Sequence, residues 1–207
     1  MAYQDDIKKA AALLLPWNKL SGCNILVTGA TGLIGGCLVD VLMAHKGRNY
    51  NVYASGRNEE RAGRRFLKYA DDNSFHFVKY DVAHPLEYDV NFQYIIHAAS
   101  GAYPEEFIKH PVEVIKGNIN GVDNLMGYGI QHGIKRLLYI SSGEVYGEGD
   151  GRVFTENYSG YVDCTSLRSC YPSSKRAAET LCISYGAEYG IDVVIARPCH
   201  VYGPGFT

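Results

Sequence analysis

An apolar run at residues 24–28 (Asn-Ile-Leu-Val-Thr) passes at once into Gly29-Ala-Thr-Gly32-Leu-Ile-Gly35, and then into apolar residues at helical spacing (Leu33, Ile34, Leu38, Val39, Leu42). This unit constrains the architecture more than any other segment. A short run of β formers reads as a buried strand, and the spacing after the turn reads as a helix packed on it. The alternation continues. Strands are expected at 51–55, 74–80, 94–98, 136–141 and 192–196, and helices at 58–70, 111–133 and 173–189. Strands that alternate with helices form right-handed crossover units and a parallel sheet covered on both faces. The expected fold is α/β, a doubly wound parallel sheet, over residues 23–207. Residues 1–22 are expected to be a helical appendage, with a helix over 7–15 stopped by Pro16.

The glycine spacing says what such a sheet would hold. Gly29 permits a tight turn, Gly32 lets backbone approach a pyrophosphate, and Gly35 lets helix and strand pack closely. The helix N-terminus offers free N–H groups to phosphates. A dinucleotide-binding Rossmann domain is therefore expected, with NAD or NADP as cofactor. The end of the second strand bears on the choice. An acid there binds a ribose 2′-hydroxyl, whereas an arginine accommodates a 2′-phosphate. Ser55-Gly-Arg57-Asn58 contains Arg57 and no acid, which favours NADP, unless Arg57 pairs with Glu59 or Glu60.

A second motif carries chemistry. In Tyr171-Pro-Ser-Ser-Lys175, a helix would put the phenol and the ammonium on one face. A phenol titrates near 10, too high for a base at neutral pH, and a neighbouring ammonium favours the phenolate. Ser142, just past a strand, offers a hydroxyl to the substrate oxygen being deprotonated.

Together these residues resemble the extended short-chain dehydrogenase/reductase family, the NAD-dependent epimerases and dehydratases of nucleotide sugars. The cofactor turn matches at Gly29, Thr31, Gly32, Leu33, Ile34 and Gly35, and the adenine-contacting pair at Asp81 and Val82. His97-Ala98-Ala99-Ser100 matches the motif ending the fourth strand, and Asn118-Ile-Asn-Gly121 the N-x-x-G helix segment. Ser141-Ser-Gly-Glu144-Val-Tyr-Gly147 resembles the serine/threonine loop, Tyr171 and Lys175 the catalytic pair, and Arg197-Pro-Cys-His200-Val-Tyr-Gly-Pro204 the segment R-P-x-N-x-Y-G-P.

The resemblance implies that Asp81, Val82, Ala98, Ala99, Asn118, Tyr171, Lys175, Arg197 and His200 face the cofactor, with histidine replacing asparagine at 200. It further implies oxidation at C4 of a nucleotide sugar with Ser142, Tyr171 and Lys175 as catalytic residues, and a homodimer built on the helices around Asn118 and Lys175. The 4-keto sugar is then epimerised, dehydrated or decarboxylated. Ser-Gly-Glu144 is similar to the loop of UDP-glucuronate decarboxylases, and Arg168-Ser-Cys-Tyr171 and Lys175-Arg-Ala-Ala-Glu179 also resemble them. Gly143 in place of the dehydratase acid favours decarboxylation or epimerisation over dehydration, and Glu144 is expected to be a second acid/base. A plain NADPH ketoreductase and a non-catalytic dinucleotide sensor are the alternatives, and the complete Ser142–Tyr171–Lys175 set argues against the sensor. Relatives carry a further, smaller domain that grips the sugar nucleotide. The chain stops at 207, directly after a strand, so it is expected to be a piece of a longer protein that holds cofactor without turning over substrate.

Composition excludes other classes. A net charge of -2 over 207 residues provides no surface for nucleic acid. The six cysteines show no metal-ligand spacing, and no metal is expected. Without a basic, apolar leader or a run of membrane-spanning length, the reading is a soluble, cytoplasmic protein with no membrane partner.

Overall fold

A computed structural model of the chain describes residues 2–101 and 103–203. Its centre is β1 (Asn24–Thr28), whose side chains alternate between two cores. Ile25 and Val27 pack with Val39, Leu42 and Met43 of α2 (Leu33–Ala44) and with Ala62 and Phe66 of α3 (Glu59–Phe66). Leu26 faces the other way, into a cluster with Val122, Leu125 and Met126 of α5 (Pro111–His132) and Ala178 and Cys182 of α6 (Cys170–Tyr189). The period-2 geometry of a strand makes one apolar run feed two layers.

Around β1 lie β2 (Asn51–Gly56), β3 (Phe75–Lys79), β4 (Tyr94–His97), β5 (Arg136–Ile140) and β6 (Asp192–Ala196). Their order is β3-β2-β1-β4-β5-β6, and every pairing is parallel. The order in which strands are added reverses between β1 and β4, so the crevice at their carboxyl ends is where such sheets take ligands.

Four helices differ from expectation by more than a residue or two at a fraying end: α3 stops at Phe66 rather than 70, and the others follow. α6 begins at Cys170 rather than 173, because Pro172 sits in the first turn, where its missing N–H is no loss. This places Tyr171 within the helix. A short helix, α4 (Pro104–Lys109), was not expected; it breaks at His110, whose helical conformation is disfavoured by Pro111. At the amino end, α1 covers Ala2–Ala11 instead of 7–15. Tertiary contacts set both of its ends. Tyr3 donates a hydrogen bond to Asp40 of α2 (2.7 Å), and His45 bonds the Ala11 carbonyl while stacking on Trp17.

Asp40 is fully buried and receives Arg65 (2.6 Å), Lys68 (2.9 Å) and the Tyr69 hydroxyl (2.9 Å) as well as Tyr3. Burial pushes this carboxyl up, but the hydrogen bonds from Arg65, Tyr3 and Lys68 outweigh it and hold it down to about 2. One carboxylate thus ties α1, α2 and the α3 region together.

Candidate active site

At the switch point the turn after β1 is built by exclusion. Gly29 has φ +66°, and a Cβ there would lie 2.6 Å from the Ala99 nitrogen and 2.7 Å from the Ala98 carbonyl. At Gly35 a Cβ would press into the Gly29 carbonyl, 2.8 Å from its carbon. The two glycines let α2, β1 and the loop after β4 converge. Gly32 caps α2 without any side-chain cap, leaving the first turn's N–H groups to a ligand. Thr31 lies against Gly56, while Leu33 and Ile34 are half-buried at the start of α2, Leu33 beside Gly203.

Arg57, Asp81 and Val82 gather at the β2–β3 end of this crevice. The Arg57 guanidinium faces the Asp81 carboxylate at 4.0 Å, with most of its side chain in solvent; among the described residues its ion-pair partner is Asp81, not Glu59 or Glu60. Val82 is fixed by its carbonyl, which accepts from Asn124. His97 is buried, bonded to Thr28 (2.8 Å), and burial with the nearby Lys175 charge lowers its imidazole to about 3. It is a neutral sheet-end residue. Gly121 of α5 gives its ring room, since a Cβ there would stand 2.9 Å from Nε2.

Ser142, Tyr171 and Lys175 meet at the other end. The Lys175 ammonium is buried, donates to the Ile140 carbonyl (2.9 Å) and lies over the rings of Tyr139 (4.7 Å) and Tyr171 (5.8 Å). Burial brings it down to about 7, against the Glu179 carboxylate one helical turn on. Burial also raises the Tyr171 phenol; the hydroxyls of Ser142 and Ser100 pull it back, Glu144 pushes it up and Arg168 pulls it down. Four flanking groups therefore act on the Tyr171 phenol. Glu144 is half-exposed and ion-paired with Arg168 (2.6 Å), and Arg168 lies over the ring of Phe107, which stacks on Tyr171.

Two expected cofactor residues have other work. The Arg197 guanidinium binds Glu179 through Nε (3.0 Å) and Nη2 (2.6 Å), the Glu156 carbonyl through Nη1 (2.9 Å), and covers the Tyr146 ring. With its donors so engaged, it joins the loop after β6 to α6 instead of facing a dinucleotide. Asn118 is buried; its amide donates to Ser174 of α6 and accepts from Ser100 beside Ala98 and Ala99. That bridge sets α6 against the loop after β4. His200 is exposed at the crevice end of the chain, and Pro204 lies outside the described residues. The reading of the sequence missed Phe107, which no spacing signals, and gave no role to Glu179, which the structure pairs with Arg197 and whose charge acts on Lys175.

The whole arrangement matches a known pattern over residues 25–207, the model of the NAD dependent epimerase/dehydratase family. The chain belongs to this family. UDP-glucuronic acid decarboxylase 6 of Arabidopsis thaliana is 37% identical over 187 residues, which are 89% of this chain and 52% of that protein. UDP-glucuronic acid decarboxylase 1 of Xenopus tropicalis is 34% identical over 87% of this chain and 41% of its own. The chain spans about half the length of the curated relatives it matches. Among solved structures, a UDP-glucuronic acid 4-epimerase from Bacillus cereus in complex with NAD superposes with TM-score 0.69 at 26% identity, covering 87% of this chain and 57% of that one. A dTDP-glucose 4,6-dehydratase from Streptomyces venezuelae, with NAD bound, gives 0.74 at 25% identity over 87% and 57%.

The site fits the family's cofactor on its own geometry: a cradle that any Cβ at Gly29 or Gly35 would fill, an uncapped helix start, and a buried Ser141 hydroxyl with no partner among the described residues. No helix of the described residues is long and apolar enough to cross a membrane.

Proposed function

We propose that the chain is the cofactor-binding, proton-handling half of a cytoplasmic nucleotide-sugar enzyme that oxidises C4 of its substrate, and that the complete enzyme decarboxylates UDP-glucuronate. The observation that carries the reading is the convergence of Ser142, Lys175 and Glu144 on the Tyr171 phenol. A bound nicotinamide supplies the hydride acceptor and donor. Gly29, Thr31, Gly32, Leu33, Ile34 and Gly35 hold its pyrophosphate side, with Arg57, Asp81 and Val82 at the adenosine end and Ala98 and Ala99 between.

The residues divide the proton work. Tyr171 takes the C4 hydroxyl proton while Ser142 bonds the same oxygen, and the Lys175 ammonium favours the phenolate. The resulting 4-keto group makes the C5 carboxylate a β-keto acid: the C5–C6 bond breaks, CO2 leaves, and its electron pair moves toward the ketone. Glu144 then delivers a proton to C5. Where dehydratases of the family carry an acid, Gly143 supplies none, which favours decarboxylation over dehydration. The similarity to decarboxylases supports the same choice.

The test uses the full-length protein and UDP-glucuronate. Wild type should release CO2 and a sugar nucleotide lighter by that amount, whereas Glu144→Gln should accumulate reduced nicotinamide and a 4-keto sugar. Product formation unchanged by Glu144→Gln removes Glu144 from the mechanism, and no CO2 from wild type overturns the substrate.

For the cofactor we propose NADP over NAD. The Arg57–Asp81 pair is long and exposed, so it is worth less than ~1 kcal/mol and leaves the guanidinium available to a 2′-phosphate. Calorimetric titration should show NADP tighter by about tenfold, a difference of ~1.4 kcal/mol, and Arg57→Ala should abolish it. Equal affinities in wild type would reject the preference. A homodimer through α5 and α6 is part of the same proposal; exposed Val112 and Ile115 on α5 and Ile183 on α6 are apolar surface available to it.

A further inference from the structure

Arg168 has no part in the proton transfers just described, yet the fold places it one ring away from the base. Its guanidinium lies 4.6 Å above the Phe107 ring, and that ring stacks on Tyr171 with centroids 4.7 Å apart. Stacking fixes the plane of the fork. The fork is half-exposed and donates to one carboxylate oxygen, that of Glu144, through Nη2 at 2.6 Å. A guanidinium fork can grip a carboxylate with two parallel bonds, and among the described residues a single branch is used, on a carboxylate that is itself half in solvent. Phe107 is shared between Arg168 and Tyr171, and Glu144 is held on the Arg168 fork, so the pair sits within the reach of a sugar whose C4 oxygen meets that phenol.

We propose that Arg168 is the specificity residue for a substrate carboxylate, and that Glu144 occupies its place in the free protein. The inference rests on the reading that the substrate is a nucleotide hexuronate. In such a sugar the carboxylate is borne by C5, the ring carbon next to C4. A group that reads it must therefore lie beside the base that reads the C4 hydroxyl, as Arg168 does. When the substrate carboxylate takes the fork, Glu144 is released where a proton is needed at C5. The same ion pair steadies the carboxylate against leaving as neutral CO2. The gain is therefore in recognition, and the effect belongs in affinity and KM more than in kcat.

The experiment compares binding of UDP-glucuronate and UDP-glucose to the full-length protein by calorimetry, alongside kcat and KM. Wild type should prefer the uronate. Arg168→Gln should lose about tenfold of that preference, the loss of one charge-assisted carboxylate contact, with affinity for UDP-glucose unchanged. Arg168→Lys should recover part of it. Glu144→Gln removes the competitor and should tighten UDP-glucuronate binding several-fold without affecting UDP-glucose. If wild type turns over UDP-glucuronate and Arg168→Gln keeps the full preference, the inference fails while the functional reading stands. Equal losses for both ligands would mark Arg168 as a purely structural residue and also overturn it. If wild type neither binds nor decarboxylates the uronate, the functional reading fails first.

Discussion

Tyr171→Phe in the full-length protein is expected to reduce turnover by at least ~10²-fold, the low end for loss of a positioned general base. The ring should stay where it is. Its stack on Phe107 and its place beside Cys170 and Val114 depend on the aromatic face, which phenylalanine keeps. Cofactor affinity should therefore hold, and so should thermal stability. The loss should fall on kcat and kcat/KM together, because the missing hydroxyl acts on the reacting oxygen. Steady-state kinetics with calorimetric cofactor binding checks both halves. Near-normal turnover, with the cofactor bound, would remove Tyr171 from the chemistry.

Asp40→Asn should cost about 3 kcal/mol, the low end for removing one partner of a buried charge cluster. The low end applies because Arg65 and Lys68 still reach water. For a chain of this size that is a fall in melting temperature of roughly 6–12 °C. The pH dependence has a definite sign. Burial disfavours the Asp40 carboxylate, but its hydrogen bonds win and bring it from 3.8 to about 2 in the fold. Unfolded chains thus take up this proton first as acid is added. The stabilisation is complete above about 4, and is lost as the pH falls from there through 2. Melting temperatures of wild type and Asp40→Asn measured across this window should converge toward its acid end. A constant gap would show that the cluster does not depend on the charge.

The sheet was legible because each strand is a short apolar run closed by turn residues, and one such run already fixes a buried parallel strand. The cofactor turn was legible for a different reason: glycine is the residue whose absence of side chain does the work, and the close approaches at Gly29 and Gly35 are what that spacing signifies. What sequence left out depends on through-space contacts. Phe107 lies on a helix that no periodicity announces, and its stack on Tyr171 exists only once α4 folds over α6. Arg197 carries a familiar motif, yet Glu179 and the Glu156 carbonyl engage its donors. The motif fixes the residue's address but not which neighbour it meets. The start of α1 was misplaced because Tyr3 is drawn into the helix by a carboxylate far along the chain.

The contact of Gly29 with the Ala98–Ala99 peptide has a thermodynamic consequence. The floor of the cradle is main chain just past the ends of two adjoining strands, packed too closely to admit even a Cβ at Gly29, so an arriving dinucleotide has little backbone there to freeze and few rotamers to immobilise. Its affinity is spared the ordering entropy that a mobile clamp would impose. Binding should leave the backbone at the centre of the crevice nearly unmoved. The proposed discrimination between dinucleotides then falls to the rim, where the Arg57 side chain is exposed, while the middle behaves as a fixed die that accepts a pyrophosphate or rejects it.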